Sequence, residues 1–122
     1  MFVGITRVDL KICHPERRDL CETIENVIVD TGSLNTWIPR EILDKLAIRP
    51  LTRKHFRFMN GATEERDIAP AICEINGEKG SCQVVFALAN DGIVLGAEAL
   101  ENMGLKVDPR TGKLEKSALL AL

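Results

Sequence analysis

The chain has 122 residues, a formal net charge of -2 with basic and acidic side chains interspersed, and only 4% aromatics. That length fits one domain, residues 1–122, with enough apolar sequence for a real core. Scattered charge and scarce aromatics exclude a phosphate-tracking surface, so no nucleic-acid partner is expected. No run reaches the roughly 18 apolar residues of a membrane span, and the N-terminus lacks a basic region followed by an apolar stretch. A cytoplasmic protein without a membrane partner is expected.

In chain order, "MFVGITRVDLKIC" alternates apolar and polar side chains through Phe2, Ile5, Val8, Leu10 and Ile12 with one slip, which predicts a half-buried strand. "LCETIENVIVD", Leu20 to Asp30, predicts the returning strand of a hairpin around the polar "HPERRD". In "PREILDKLAI", Ile42, Leu43, Leu46 and Ile48 recur at helical spacing between Pro39 and Pro50, predicting a short helix. Asn60-Gly61 and Asn76-Gly77 each sit between alternating runs. Both residues of such a pair favour positive φ, so two tight hairpins are expected, the second leading into an apolar strand from Gln83 to Ala89. "GIVLGAEALENMGL" predicts an apolar strand, then a helix opening at Gly96 and ending near Gly104. A turn from Pro109 to Gly112 separates two short final strands.

The four cysteines, Cys13, Cys21, Cys73 and Cys82, contain no C-x-x-C pair, and neither histidine stands at zinc-ligand spacing from them, so no metal is expected. They read as small apolar residues of a reducing compartment, although Cys13 and Cys21 can face each other across the first hairpin. His14 and His55 have no nucleophile at a telling spacing, and Ser33 and Ser81 lack a Gly-x-Ser-x-Gly elbow. The basic run from Arg49 to Arg57 reads as solvated surface that would also suit acidic substrates.

The stretch "VIVDTGSLNTWIPREIL" poses the chemical question, because it ends an apolar run on Asp30, and a carboxylate is costly to bury unpaired. Ile28 and Val29 followed by Asp30-Thr31-Gly32-Ser33 resemble the active-site loop of clan AA aspartic proteases. "IVLGAEAL", with Val94, Leu95 and Gly96 opening a helix, resembles the hydrophobic-hydrophobic-Gly element those enzymes carry farther down the chain. Thr36, Ile38 and Pro39, together with "LGAEALENMGLKVDPRTGKL", bring the likeness closest to the small prokaryotic retropepsin-like proteins. It covers roughly residues 20 to 115. Leu34 and Asn35 depart from the acidic residues that retroviral enzymes carry there, so substrate contacts of the viral kind are not implied.

The resemblance implies a mostly β, retropepsin-like acid-protease barrel with one or two short helices. It also implies an aspartic endopeptidase without cofactor. The chemistry needs two carboxylates, one to take a proton from water and one to hydrogen-bond the scissile carbonyl. No other aspartate has the same setting, so a two-fold homodimer would supply Asp30 twice. Gly32 permits close backbone approach, and its N–H can stabilise the ionised carboxylate. By resemblance, Thr31 reaches the partner loop, Ser33 bonds the outer carboxylate oxygen, and Met59, Asn60, Gly61 and Ala62 tip a flap over bound peptide. Trp37 is expected to pack beneath the loop, with a substrate pocket as the alternative use. The apolar end of the chain, Ser117 to Leu122, would join the subunit interface. Two rivals remain: a dimeric peptide-binding or scaffold domain that does not cleave, and a monomeric module that completes its site against another protein.

Overall fold

Alternation of inward apolar and outward polar residues from Arg7 to Cys13 makes the first strand, β1, in a computed structural model that describes residues 4–119 and 121. Phe2 and Val3 lie outside the described residues. β1 pairs antiparallel with β2 (Cys21–Val29), and the ladder shifts register between Val8 and Leu10, where Asn26 adopts φ 56 and its N–H bonds the Asp9 carboxylate. A short strand, β3 (Thr36–Pro39), follows the aspartate loop and runs into α1 (Arg40–Lys45). The helix is shorter than the apolar spacing suggests. Ala47 turns left-handed (φ 58), which ends the helix and still drops Ile48 into the core beside Leu43 and Leu46.

β4 (Thr52–Arg57) and β5 (Thr63–Ile75) form the next hairpin, and β6 (Glu78–Ala87) returns alongside β5. The β5–β6 turn is the tight one expected, with Asn76 at φ 51 and Gly77 at φ 85. The β4–β5 tip is wider than expected. There only Gly61 is left-handed (φ 86), Phe58 and Ala62 close the loop, and the Asn60 side chain accepts the Ala62 N–H instead of placing its own backbone at positive φ. β7 (Val94–Leu95) leads into α2 (Ala97–Met103), stopped by Gly104 at φ 71. β8 (Leu105–Val107) and β9 (Leu114–Lys116) make a separate small hairpin.

The main sheet runs β1-β2-β7-β3-β6-β5-β4, and a further β1–β5 pairing closes it on itself, leaving β4 as the protruding edge. The fold is mostly β, a closed barrel with two short helices among the described residues. Inside lie Leu10, Ile12, Ile38, Leu43, Val84, Phe86 and Leu95, all fully buried. Each such side chain contributes about 1.5–3 kcal/mol by leaving water. α2 covers one end with Ala99, Leu100 and Met103, and its last turn lies so near β6 that a Cβ on Gly80 would sit 2.4 Å from the Asn102 carbonyl oxygen.

The cysteines are bonded in two pairs. Cys13 joins Cys21, its register partner across β1–β2, and Cys73 joins Cys82 between β5 and β6. The first pairing is the one the polar hairpin left open; the second sits within the barrel wall, where the sequence suggested free apolar thiols. Unreduced protein is therefore expected to resist thiol labelling while folded. Reduction should lower the unfolding free energy by about 2 kcal/mol per bridge, as expected for loops this short. Full labelling of the native protein without reductant would contradict the pairing.

Candidate functional site

Two distant segments meet to make the site. Ile28 and Val29 of β2 run parallel to Val94 and Leu95 of β7, and the Asp30 N–H continues that ladder by donating to the Leu95 carbonyl at 2.9 Å. The chain then turns sharply: the Ser33 N–H donates to the Asp30 carbonyl (3.1 Å) and the Gly32 N–H to Asp30 Oδ1 (3.0 Å). The first amides of α2 close the assembly, Ala97 on the Ser33 carbonyl (2.7 Å) and Glu98 on that of Leu34 (3.1 Å). Buried Thr36 accepts the Gly96 N–H through its hydroxyl at 3.0 Å. Gly96 has no room for a side chain, since a Cβ there would lie 2.3 Å from the Asn35 carbonyl oxygen.

Asp30 is exposed in the single chain, as are Thr31 and Gly32. Its carboxylate faces a cleft of about 340 Å³ lined also by Trp37, Phe58, Met59, Asp91 and Val94. Asn60, Gly61 and Ala62 are exposed at the tip above, with Met59 fully in solvent. Two expected side-chain positions differ. Ser33 donates its one hydroxyl proton to the Asn35 carbonyl (2.9 Å) and not to Asp30, because the turn brings that carbonyl back over it. Trp37 lines the cleft instead of lying beneath the loop. Alternation along β3 sends Ile38 to the core and Trp37 to the opposite face, where its ring meets Phe56 (5.1 Å) and Phe58 (5.8 Å) edge to face.

A buried ion pair at the cleft escaped the sequence. Arg66 of β5 is 6% exposed, and its guanidinium forks onto Asp91, Nε to Oδ2 at 2.8 Å and Nη2 to Oδ1 at 3.0 Å. The Arg66 hydrogen bonds, helped by the Leu88 N–H, hold the Asp91 carboxyl below the usual carboxylate range against the opposing effect of burial. On the other face of the hairpin, burial would raise Asp67, but Arg53 and Arg40 outweigh it and lower it. An arginine inside "TEERDIA" and an aspartate in an Asn-Asp-Gly turn look like ordinary surface charges, so only the fold reveals their pairing. The basic run is partly neutralised, as Arg53 bonds Glu65 and Asp67. His14 accepts the Glu16 and Arg17 amides on Nδ1, and His55 pairs with Glu65; both are satisfied away from Asp30.

Gly96→Ala is expected to lower stability by about 2 kcal/mol or more, since backbone meets backbone and neither side can yield cheaply; thermal unfolding reads it directly. Asp91→Asn should cost about 2 kcal/mol at neutral pH by breaking a charged, buried hydrogen-bond pair. Because the folded carboxyl titrates below its unfolded value, the stability it contributes is fully present above about pH 4 and is lost as pH falls through the lower folded value. Urea unfolding of wild type and variant should therefore differ at pH 5 as at pH 7 and converge in stronger acid.

No family model matches the chain, and no curated protein matches it. Among solved structures it is similar to the Simian Foamy Virus (mac) protease determined in solution, at 17% identity and a TM-score of 0.54, over 78% of this chain and 91% of that one. At that identity the likeness establishes the fold: this chain has the fold of a retroviral-type protease.

Proposed function

We propose that the protein is a single-domain aspartic endopeptidase of the retropepsin-like kind, active as a homodimer in which Asp30 from each subunit activates one water for peptide-bond hydrolysis. The observation that carries this reading is the Asp30 carboxylate itself. It is exposed, held through Oδ1 by the Gly32 N–H, and set at the mouth of a cleft roofed by a hairpin. The other carboxylate lining the cleft, Asp91, is already paired with Arg66, which leaves Asp30 available for chemistry.

One carboxylate cannot be both base and hydrogen-bond donor in the same step, so a second is required. A two-fold axis beside Asp30 would bring its symmetry mate into contact, and two adjacent carboxylates then share one proton, as known aspartic-protease dyads do. The surface around the loop suits such an axis. Leu34 is 68% exposed, and Thr31 lines a mostly apolar hollow with Ala97, Leu100, Leu105 and Val107, rimmed by Glu101 and Lys106. Leu119 is also exposed, consistent with a tail that joins the interface; Leu120 and Leu122 of that tail lie outside the described residues. Within the dimer the ionised Asp30 takes a proton from water, the protonated one hydrogen-bonds the carbonyl, and the flap excludes bulk solvent.

No helix among the described residues is long and apolar enough to cross a membrane. The two disulfides favour an oxidising setting over the cytoplasm expected from the sequence.

Asp30→Asn is the deciding variant. With an unfolded protein as substrate between pH 4 and 7, it should keep the dimer mass in sedimentation and lose cleavage by about 10³-fold or more. A wild-type dimer that cleaves nothing across that range would overturn the protease in favour of a peptide-binding or scaffold domain. A wild type that stays monomeric at high concentration would overturn the homodimer.

A further inference from the structure

We infer that Arg66 is a positioning residue that sets the gap between the two walls of the cleft over Asp30; this rests on reading that cleft as a peptide site. The flap wall is Phe58 and Met59, and the opposite wall is Asp91 and Gly92 in the loop before β7. Arg66 touches both. Its fork onto Asp91 fixes the 88–92 loop, whose own turn is tied by the Leu88 N–H on Asp91 Oδ2 (2.8 Å) and the Asp91 N–H on the Leu88 carbonyl (2.9 Å). Its guanidinium lies 5.1 Å from the centre of the Phe58 ring, which leans on Trp37 in turn.

The remaining donors are held too. Nη1 reaches the Glu65 carbonyl at 2.9 Å, and Nη1 and Nη2 both reach Glu64 Oε1 at 3.4 Å. An arginine this buried and this fully bonded in an otherwise exposed hairpin arm is a rigid spacer. Fork and stacking both need the planar group, so lysine cannot replace it.

The consequence separates binding from chemistry. Asp30 is positioned by Leu95 and Gly32, neither of which Arg66 touches, so loosening the spacer leaves the carboxylate in place. What changes is the readiness of the walls: a preset cleft takes a peptide without first ordering two loops, whereas a loosened one must order them on binding.

Four variants test this: Arg66→Met, Arg66→Lys, Asp91→Asn, and the Arg66→Met/Asp91→Asn double, each assayed well below its own unfolding temperature. Expected are a KM raised about tenfold with kcat within about threefold, and a double variant no worse than the worse single. Amide exchange should quicken about tenfold in both 56–62 and 88–92 but not in 94–100. Arg66→Lys, which keeps the charge and protects folding, should behave like Arg66→Met. Loss in kcat equal to the rise in KM, additive single effects, or exchange quickened in only one wall would overturn the inference. If the wild type cleaves no peptide, the protease reading falls, and the exchange pattern alone still decides whether Arg66 couples the walls.

Discussion

Gly96 passes so close to Asn35 that the backbones of two segments far apart in sequence behave as one piece, and the geometry of the cleft follows from that contact. Two parallel strand pairings, β2 with β7 and β3 with β6, bring the segments together, and neither can be made by a local turn. The loop between them has many polar backbone groups, and buried groups of that kind must be paired. Here the pairing is mutual. α2 gives its first amides to Ser33 and Leu34, Leu95 takes the amide of Asp30, and Thr36 takes that of Gly96. A side chain at Gly96 would separate donors from acceptors on both sides at once. The loop is therefore rigid because its neighbour is, which is what a carboxylate needs if its direction is to be fixed without being buried.

The distribution of acidic groups around the cleft follows the same economy. Asp91 and Asp67 are largely buried, and each is met by arginine, since an uncompensated carboxylate there would oppose folding. Among the described residues no arginine bonds Asp30, although Arg57 lines the same cleft. The Asp30 Oδ1 accepts a hydrogen bond from a backbone amide, that of Gly32, which fixes the direction of the carboxylate without pairing it with a cation. The arginines thereby hold the hairpin and the 88–92 loop against the barrel.

Local signals were legible where the chain itself decides the conformation. Asn76-Gly77 makes the expected tight turn, Gly104 stops α2 in the left-handed conformation, and the aspartate loop turns where Asp, Gly and Ser say it should. The same kind of signal misled at Asn60-Gly61, where the hairpin closes on a wider tip, from Phe58 to Ala62, in which the asparagine side chain does the bonding. Strand β3 was not foreseen. Its four residues carry too little alternation to be seen alone, and it exists because β6 and β7 lie on either side of it. Trp37 takes the less expected of its two places, lining the cleft, because which face a strand residue occupies is set by register with its neighbours. The Arg66–Asp91 pair joins residues whose separation in sequence says nothing of their contact. The turn that carries Asp30 was thus readable from local chemistry, while the walls that shape its cleft are a product of topology.

The apolar run ending on Asp30 can now be placed in the energetics of folding and association. In the single chain the carboxylate is exposed, so the barrel closes without the desolvation cost that a buried charge would impose. For the dimer proposed above, that cost arises on association, when two carboxylates approach in a site from which water is largely excluded. One shared proton removes most of their repulsion, and the burial of Leu34 and the mostly apolar hollow beside Thr31 opposes the rest. Folding and completion of the site are then separate equilibria. On that proposal a chain of this design would fold with half a site and gain its chemistry only at concentrations that hold two copies together.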